Sequence, residues 1–169
     1  MNKGIRAVMI AALSAAIITS CKQKEISKNA AMDNLHSNMI FPQGEKAPSD
    51  YFTGTAWVNR LVQQDETGTY SVGNVVFEPG GRTNWHTHPA GQTLFVLDGK
   101  GWYQEKGKPA RAISKGDVVV IPSNVEHWHG AAAETSLTHL AITNAKDGGV
   151  KWLQPVADDD YRSVGVSTK

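Results

Sequence analysis

From Tyr51 onward the apolar residues of this chain fall in short runs, rich in β-branched and aromatic side chains, and each run is closed by a turn that contains glycine. That pattern limits the fold more than any other feature of the sequence. Short apolar runs bounded by turn formers signal strands, whereas a helix needs its apolar positions to recur at helical spacing over about three turns. No such amphipathic helix is visible. Strands are expected at Thr55 to Val62, Tyr70 to Phe77, Thr93 to Leu97, Gly101 to Gln104, Val118 to Ile121, Leu137 to Thr143 and Val150 to Leu153. Turns are expected at Glu78-Pro79-Gly80-Gly81, Asp98-Gly99-Lys100-Gly101, Glu105-Lys106-Gly107-Lys108-Pro109 and Ser114-Lys115-Gly116-Asp117. Ala157 to Arg162, after Pro155, is the only helical candidate. Strands that follow one another without helices imply an all-β sandwich or barrel around one core.

The N-terminal region is of another kind. Lys3 and Arg6 precede an apolar run from Ala7 to Ile18, and Ile18-Thr19-Ser20 lead into Cys21, the one cysteine of the chain. The run is too short to span a bilayer, which takes about twenty residues, and has the form of a signal-peptide core. The stretch resembles a bacterial lipoprotein signal. That resemblance implies cleavage after Ser20, acylation of Cys21, and an exported envelope lipoprotein that faces the periplasm or sits on the outer membrane. Residues 22 to 50 are rich in Lys, Asn, Ser and Gln, with Pro42 and Pro48 near the end and no sustained apolar period. The expected organisation is therefore a signal peptide at 1–20, a lipid-anchored tether at 21–50 and a folded domain at 51–169. The membrane is touched only through the anchor.

Charge and cysteine content narrow the chemistry. Lys+Arg 17 against Asp+Glu 16 gives no electrostatic basis for nucleic-acid binding. A single cysteine excludes an intrachain disulfide and a cysteine-built metal site, so any ion falls to histidine and oxygen donors. Of the six histidines, His36 lies in the tether and the others fall between His86 and His139. His86-Thr87-His88 puts two imidazoles on one face of a strand. Gln92 follows on the same stretch, and His127 can join across a long hairpin. Three imidazoles and an amide oxygen suit one divalent ion per chain, among Mn, Fe, Co, Ni and Zn, with positions open to water or substrate.

These residues fall in two recognisable motifs. Gly80, His86, His88, Gln92 and Gly99, followed by Gly116, Pro122, Asn124 and His127, resemble the two motifs of the cupin superfamily, with Gln92 at the usual glutamate position and Asn124 at a glycine. Asparagine is one of the few residues that tolerates a left-handed backbone there. The resemblance implies an all-β, single-domain jelly-roll barrel, a double-stranded β-helix with the metal inside. The stretches Tyr51 to Thr55, Phe77 to Thr83, Trp85 to Pro89, Gly91 to Leu94, His127 to Ala132 and Thr138 to Ile142 narrow the resemblance to the group that includes bacterial manganese-dependent hydroxynitrile lyases. What that group implies is His86, His88, Gln92 and His127 as ligands of manganese, with Fe, Zn, Ni and Co as alternatives, and His139 and Thr83 beside a small-molecule substrate. It also implies cleavage or formation of cyanohydrins.

Strand alternation fits those roles. Leu137, His139, Ala141 and Thr143 share one face. If that face points inward, His139 enters the cavity as the base, with Thr143 beside it; a satisfied interior histidine is the alternative. Thr83 is read as catalytic or as a turn hydroxyl. His129 shares the parity of His127 and lines the pocket or tunes the metal, and Trp128 between them faces the other way. Gly73 and Val75 are expected in the pocket wall. Arg82 is read as a solvated loop arginine, with the cavity mouth as its alternative. Trp57, Trp85, Trp102 and Trp152 are expected in the core or in dimer contacts, and residues 51 to 62 as a strand exchanged in a homodimer or higher oligomer. Gln92 in place of a carboxylate leaves an ion's charge uncompensated and makes it a stronger Lewis acid. Two other functions stay open: a metal-dependent oxygenase or isomerase, and a non-catalytic binder of metal or a small ligand.

Overall fold

The computed structural model describes residues 39–63, 68–144 and 148–164. Cys21, His36, the expected signal peptide and most of the expected tether lie outside them. The chain divides into two units, Met1–Pro42 and Gln43–Lys169. The second begins earlier than the expected boundary at Tyr51, because Glu45 and Lys46 pair with Val58 and Trp57.

The elements of the second unit are β1 (Glu45–Lys46), β2 (Phe52–Thr53), β3 (Ala56–Val62), β4 (Tyr70–Phe77), β5 (Arg82–Thr83), β6 (His86–Thr87), β7 (Gln92–Glu105), β8 (Arg111–Ser114), β9 (Val118–Ile121), β10 (His127–Ala131), β11 (Leu137–Asn144), β12 (Lys151–Trp152) and α1 (Asp158–Ser163). One sheet runs β1-β3-β4-β11-β7, with β9 on the far side of the first half of β7. The second half of β7 pairs with β8 and β10 in another sheet, which continues to β5, β6, β2 and β12. All the pairings are antiparallel, so the all-β jelly-roll expectation holds. Among the described residues no helix is long and apolar enough to cross a membrane.

β7 corrects the sequence reading. Asp98-Gly99-Lys100-Gly101 is not a turn but the middle of one continuous strand. Gly99 does have the positive φ that a turn glycine would have, at 82°. A Cβ there would lie 2.0 Å from the Ser136 carbonyl oxygen, so only glycine fits. Beside it the register against β11 slips: Asp98 faces Thr138 while Val96 faces His139. Bulge and glycine together bend the strand out of one sheet and into the other without reversing it.

The two sheets enclose an apolar core of residues such as Val75, Phe77, Leu94, Val96, Ile121 and Leu137. β10 was not expected as a strand, because His127-Trp128-His129-Gly130-Ala131 lacks an apolar run. All five residues are buried, since both faces are covered. Trp128 points outward, packs with Trp85, Val156 and Tyr161, and donates its indole N–H to Gln104 at 2.7 Å. The packing role read for Trp85 and Trp128 thus holds.

Arg82 departs from both of its readings. It is 4% exposed and clasps the C-terminal segment. Its Nη2 donates to the Val156 carbonyl at 3.1 Å and to Asp158, and its guanidinium lies 4.4 Å over the Tyr161 ring. Tyr161 in turn donates its hydroxyl hydrogen to Ala131 O at 2.7 Å. The helix thereby seals the outer face of β10, the strand that carries His127 and His129.

Candidate functional site

A cavity of about 330 Å³ is walled by residues of both sheets. Thr83, His86, His88, Gln92, His129, Gly73, Val75 and Thr143 line it, whereas His127 and His139 do not. His86 on β6 faces His127 on β10 across a strand pairing, which brings their ring centroids to 4.1 Å. His88 lies 5.1 Å from His86 and 5.6 Å from His127 by the same measure. Asn124 adopts the left-handed φ of 61°, and its N–H donates to the His88 carbonyl at 2.9 Å, so the substituted motif position still fixes the ligand loop.

Tautomers follow from the partners. His86 Nδ1 lies 2.9 Å from Asn84 O and His127 Nδ1 lies 2.8 Å from Val125 O. A carbonyl only accepts, so each Nδ1 carries the proton and each Nε2 keeps its lone pair. Gln92 faces Thr143 across the β7–β11 ladder and donates an amide hydrogen to its hydroxyl at 3.0 Å, which turns Oε1 the other way. Thr143→Val should therefore lower affinity for a divalent ion about tenfold while leaving the fold intact, because it frees the amide to rotate. Competition with a metal-sensitive dye measures this, and an unchanged affinity would refute it.

Burial keeps the whole cluster neutral. It drives His86 and His129 well below the ordinary imidazole value, with neighbouring histidines adding to the effect. Burial and then His127 bring His88 down to about 4, against a weaker pull from the Gly149 backbone. His127 is also lowered by burial, and His139 falls to about 4.

The donor set fits a metal ion on one observation in particular. Both ring nitrogens of His88, Oε1 of Gln92 and Nε2 of His127 are buried without a hydrogen-bond partner. Leaving such atoms unpaired costs about 1–3 kcal/mol each, and a cation would take one lone pair each from His88, Gln92 and His127, while the other His88 nitrogen carries the ring proton. A second, overlapping set exists: ligand atoms of His86, His127 and His129 lie within 4.8 Å of one another. Among the described residues this is the histidine set whose ligand atoms come together, and His88 is not part of it.

The structure revises the placement of His139. Its strand face does point inward, yet the ring is 0% exposed and is absent from the cavity wall. His129 stands at the wall instead, with its Nδ1 3.2 Å from His139 Nε2. Thr83 lines the cavity and also exchanges hydrogen bonds with the His129 backbone: its hydroxyl donates to His129 O and accepts from His129 N, both at 3.2 Å. Trp152, read as core or dimer contact, lines the cavity with its ring 4.9 Å from His86 and stacked on Tyr51. Arg60 was overlooked altogether. Its signal was available, because it shares strand parity with Ala56 and Val58 on β3.

Comparison with known proteins completes the description. The model of the cupin domain family matches residues 73–143. The chain is 48% identical over 118 residues to the (R)-mandelonitrile lyase of Granulicella tundricola, covering 69% of this chain and 90% of that protein. Its fold is similar to the crystal structure of a cupin-like protein from Thermotoga maritima, with a TM-score of 0.73 and 48% identity over 77% of this chain and 100% of the other. The dimethylsulfoniopropionate (DMSP) lyase DddQ of Ruegeria pomeroyi shares the fold at 20% identity and a TM-score of 0.52.

Proposed function

The chain belongs to the cupin domain family, and from that premise we propose that it is a divalent-metal-dependent lyase that breaks or forms the carbon–carbon bond of a cyanohydrin. The observation that carries this reading is the group of buried, unpartnered atoms on His88, Gln92 and His127, set beside a cavity that His129 lines with His139 behind it at 3.2 Å. The identity with a mandelonitrile lyase across most of that protein's length supports the reaction class. His86, His88, Gln92 and His127 would hold the ion, for which manganese is our first choice. Bound by four neutral donors, it would supply strong Lewis acidity toward a hydroxyl oxygen or a cyanide.

The chain's own groups handle the proton. His129 Nδ1 and His139 Nε2, 3.2 Å apart, share one proton; in this reading it rests on His129 Nδ1, and the Nε2 lone pair of His129 is the site that takes the substrate's hydroxyl proton. The carbon–carbon electron pair departs with cyanide, the carbonyl forms, and the proton passes from His129 to cyanide. Burial lowers the proton affinity of His129, so release is favoured over retention. His139 is in this scheme a positioning residue, and Thr83 fixes the backbone of His129 while its side chain borders the substrate.

Cyanide release from mandelonitrile by the manganese-loaded protein tests the proposal. Activity should be present in the wild type, reduced in His139→Ala and absent in His127→Ala, which should also fail to retain metal. No cyanide from any metal form would reject the lyase. Oxygen uptake with a phenolic or thiol substrate would favour an oxygenase.

We also propose that the protein is exported and held at the bacterial envelope by acylated Cys21. Cys21→Ser should release it from the membrane fraction. Retention of the variant there would remove the lipid anchor from the account.

A further inference from the structure

We propose that the cavity takes a small hydroxy compound bearing a carboxylate at the end remote from its hydroxyl, and that Arg60 receives that carboxylate. The orientation rests on the lyase reading, which places the hydroxyl at the histidine–glutamine end.

Arg60 lies on the cavity wall between Val58 and Val62 of β3. Its side chain is exposed, so the guanidinium stands at the open rim of the cavity, where it can meet the anionic end of a ligand without being buried alone. No aspartate or glutamate is among the described residues that line the cavity, and Arg60 is its one permanent cation. The five ion pairs among the described residues do not include Arg60. Arg60 also borders the neighbouring groove, whose other charged residues are Glu45 and Lys46, and no ion pair joins it to Glu45.

Space is provided beside the guanidinium. Gly73 sits directly across from Arg60 on β4, and a Cβ built there would meet nothing closer than Asn59 O at 4.0 Å. The backbone does not need glycine here, because Gly73 lacks a positive φ. Next in the same row is Ala141 on β11, also small. The row Arg60–Gly73–Ala141 is thus a trough that leads inward from a cation, with Val58, Val75 and Trp152 as apolar walls for a carbon framework.

Arg60 on β3 and Gln92 on β7 are separated by β4 and β11, which is three strand spacings, or about 14 Å across the sheet, and Gln92 lies two residues beyond Arg60's row. A ligand that reaches both ends therefore needs a spacer of at least one aromatic ring. A planar guanidinium suits a carboxylate because it offers two parallel N–H donors.

The test compares benzyl alcohol with 4-(hydroxymethyl)benzoate, two unreactive ligands that differ only in the distal carboxylate. Binding to the manganese-loaded full-length protein is followed by ligand-observed NMR titration. The benzoate should bind about tenfold more tightly, and the preference should shrink with added salt. Arg60→Gln should abolish the preference and Arg60→Lys should keep part of it. The measure is a ratio within each variant, so partial misfolding cannot imitate it. Equal affinities in the wild type would overturn the proposal. So would a preference that survives Arg60→Gln, since the carboxylate would then sit at the histidine end. Mandelonitrile cleavage without a carboxylate preference would leave the lyase standing and remove this inference. An Arg60-dependent preference without cleavage would establish the anion site and remove the lyase.

Discussion

Acidified from pH 7 to pH 4, the metal-free protein should lose its fold well before its carboxylates are protonated. Five imidazoles are held neutral by burial, and every one has a folded pKa below its ordinary value of 6.5. The sign follows directly. Above pH 6.5 folded and unfolded chains are both neutral at these sites, and stability does not depend on them. Below it the unfolded chain takes up protons that the folded chain refuses, so stability falls with pH until each folded value is passed, near 4 for His88 and His139. Each group contributes up to about 1.4 kcal/mol per pH unit. Several acting together remove an amount comparable with the roughly 5–15 kcal/mol that holds a small domain folded. Far-UV circular dichroism in the presence of a chelator reports the midpoint. Unfolding only below pH 4 would show that the histidines are not what limits acid stability. Bound metal should move the midpoint to lower pH, because protons then compete with the ion for the same nitrogens.

His129→Ala should separate the two possible histidine triads. If His88 and Gln92 complete the donor set, the variant keeps one ion per chain and loses turnover by about 10²–10⁴-fold, the range for a lost general base. If His129 is a ligand, metal and turnover disappear together, while His88→Ala spares the metal. Metal analysis beside cyanide release distinguishes the cases. Retained metal with undiminished turnover would refute the proton-transfer role given to His129.

The residues of the site were legible in the sequence because their chemistry is local. His86, His88 and Gln92 stand within a few positions of one another; strand parity puts the two imidazoles on one side, and a short turn closed by Gly91 brings Gln92 beside them. Asn124 could be accepted at a glycine position because its left-handed preference is a property of one residue. What stayed hidden depends on partners far along the chain. Arg82 has an ordinary loop setting in sequence, and only folding brings Asp158 and Tyr161 to it. His139 was placed inward by parity, but parity does not say that the His129 ring would stand between it and the cavity. β10 was missed as a strand because it has no apolar run, and what buries its outer face is a helix some thirty residues away. The Asp98–Gly101 stretch carried a true backbone signal, a left-handed glycine, whose outcome depends on whether the flanking segments find partners in one sheet or in two.

That bend in β7 also bears on how the chain can change over evolution. Gln92 is set by the first half of the strand, and the neighbours of His127 and His129 by the second half. Lengthening a surface turn displaces little. One residue inserted between Gln92 and Glu105 would turn every later side chain of the strand to the opposite face. Substitution can therefore explore this segment, while insertion and deletion cannot, and its length should be among the slowest features of the sequence to diverge.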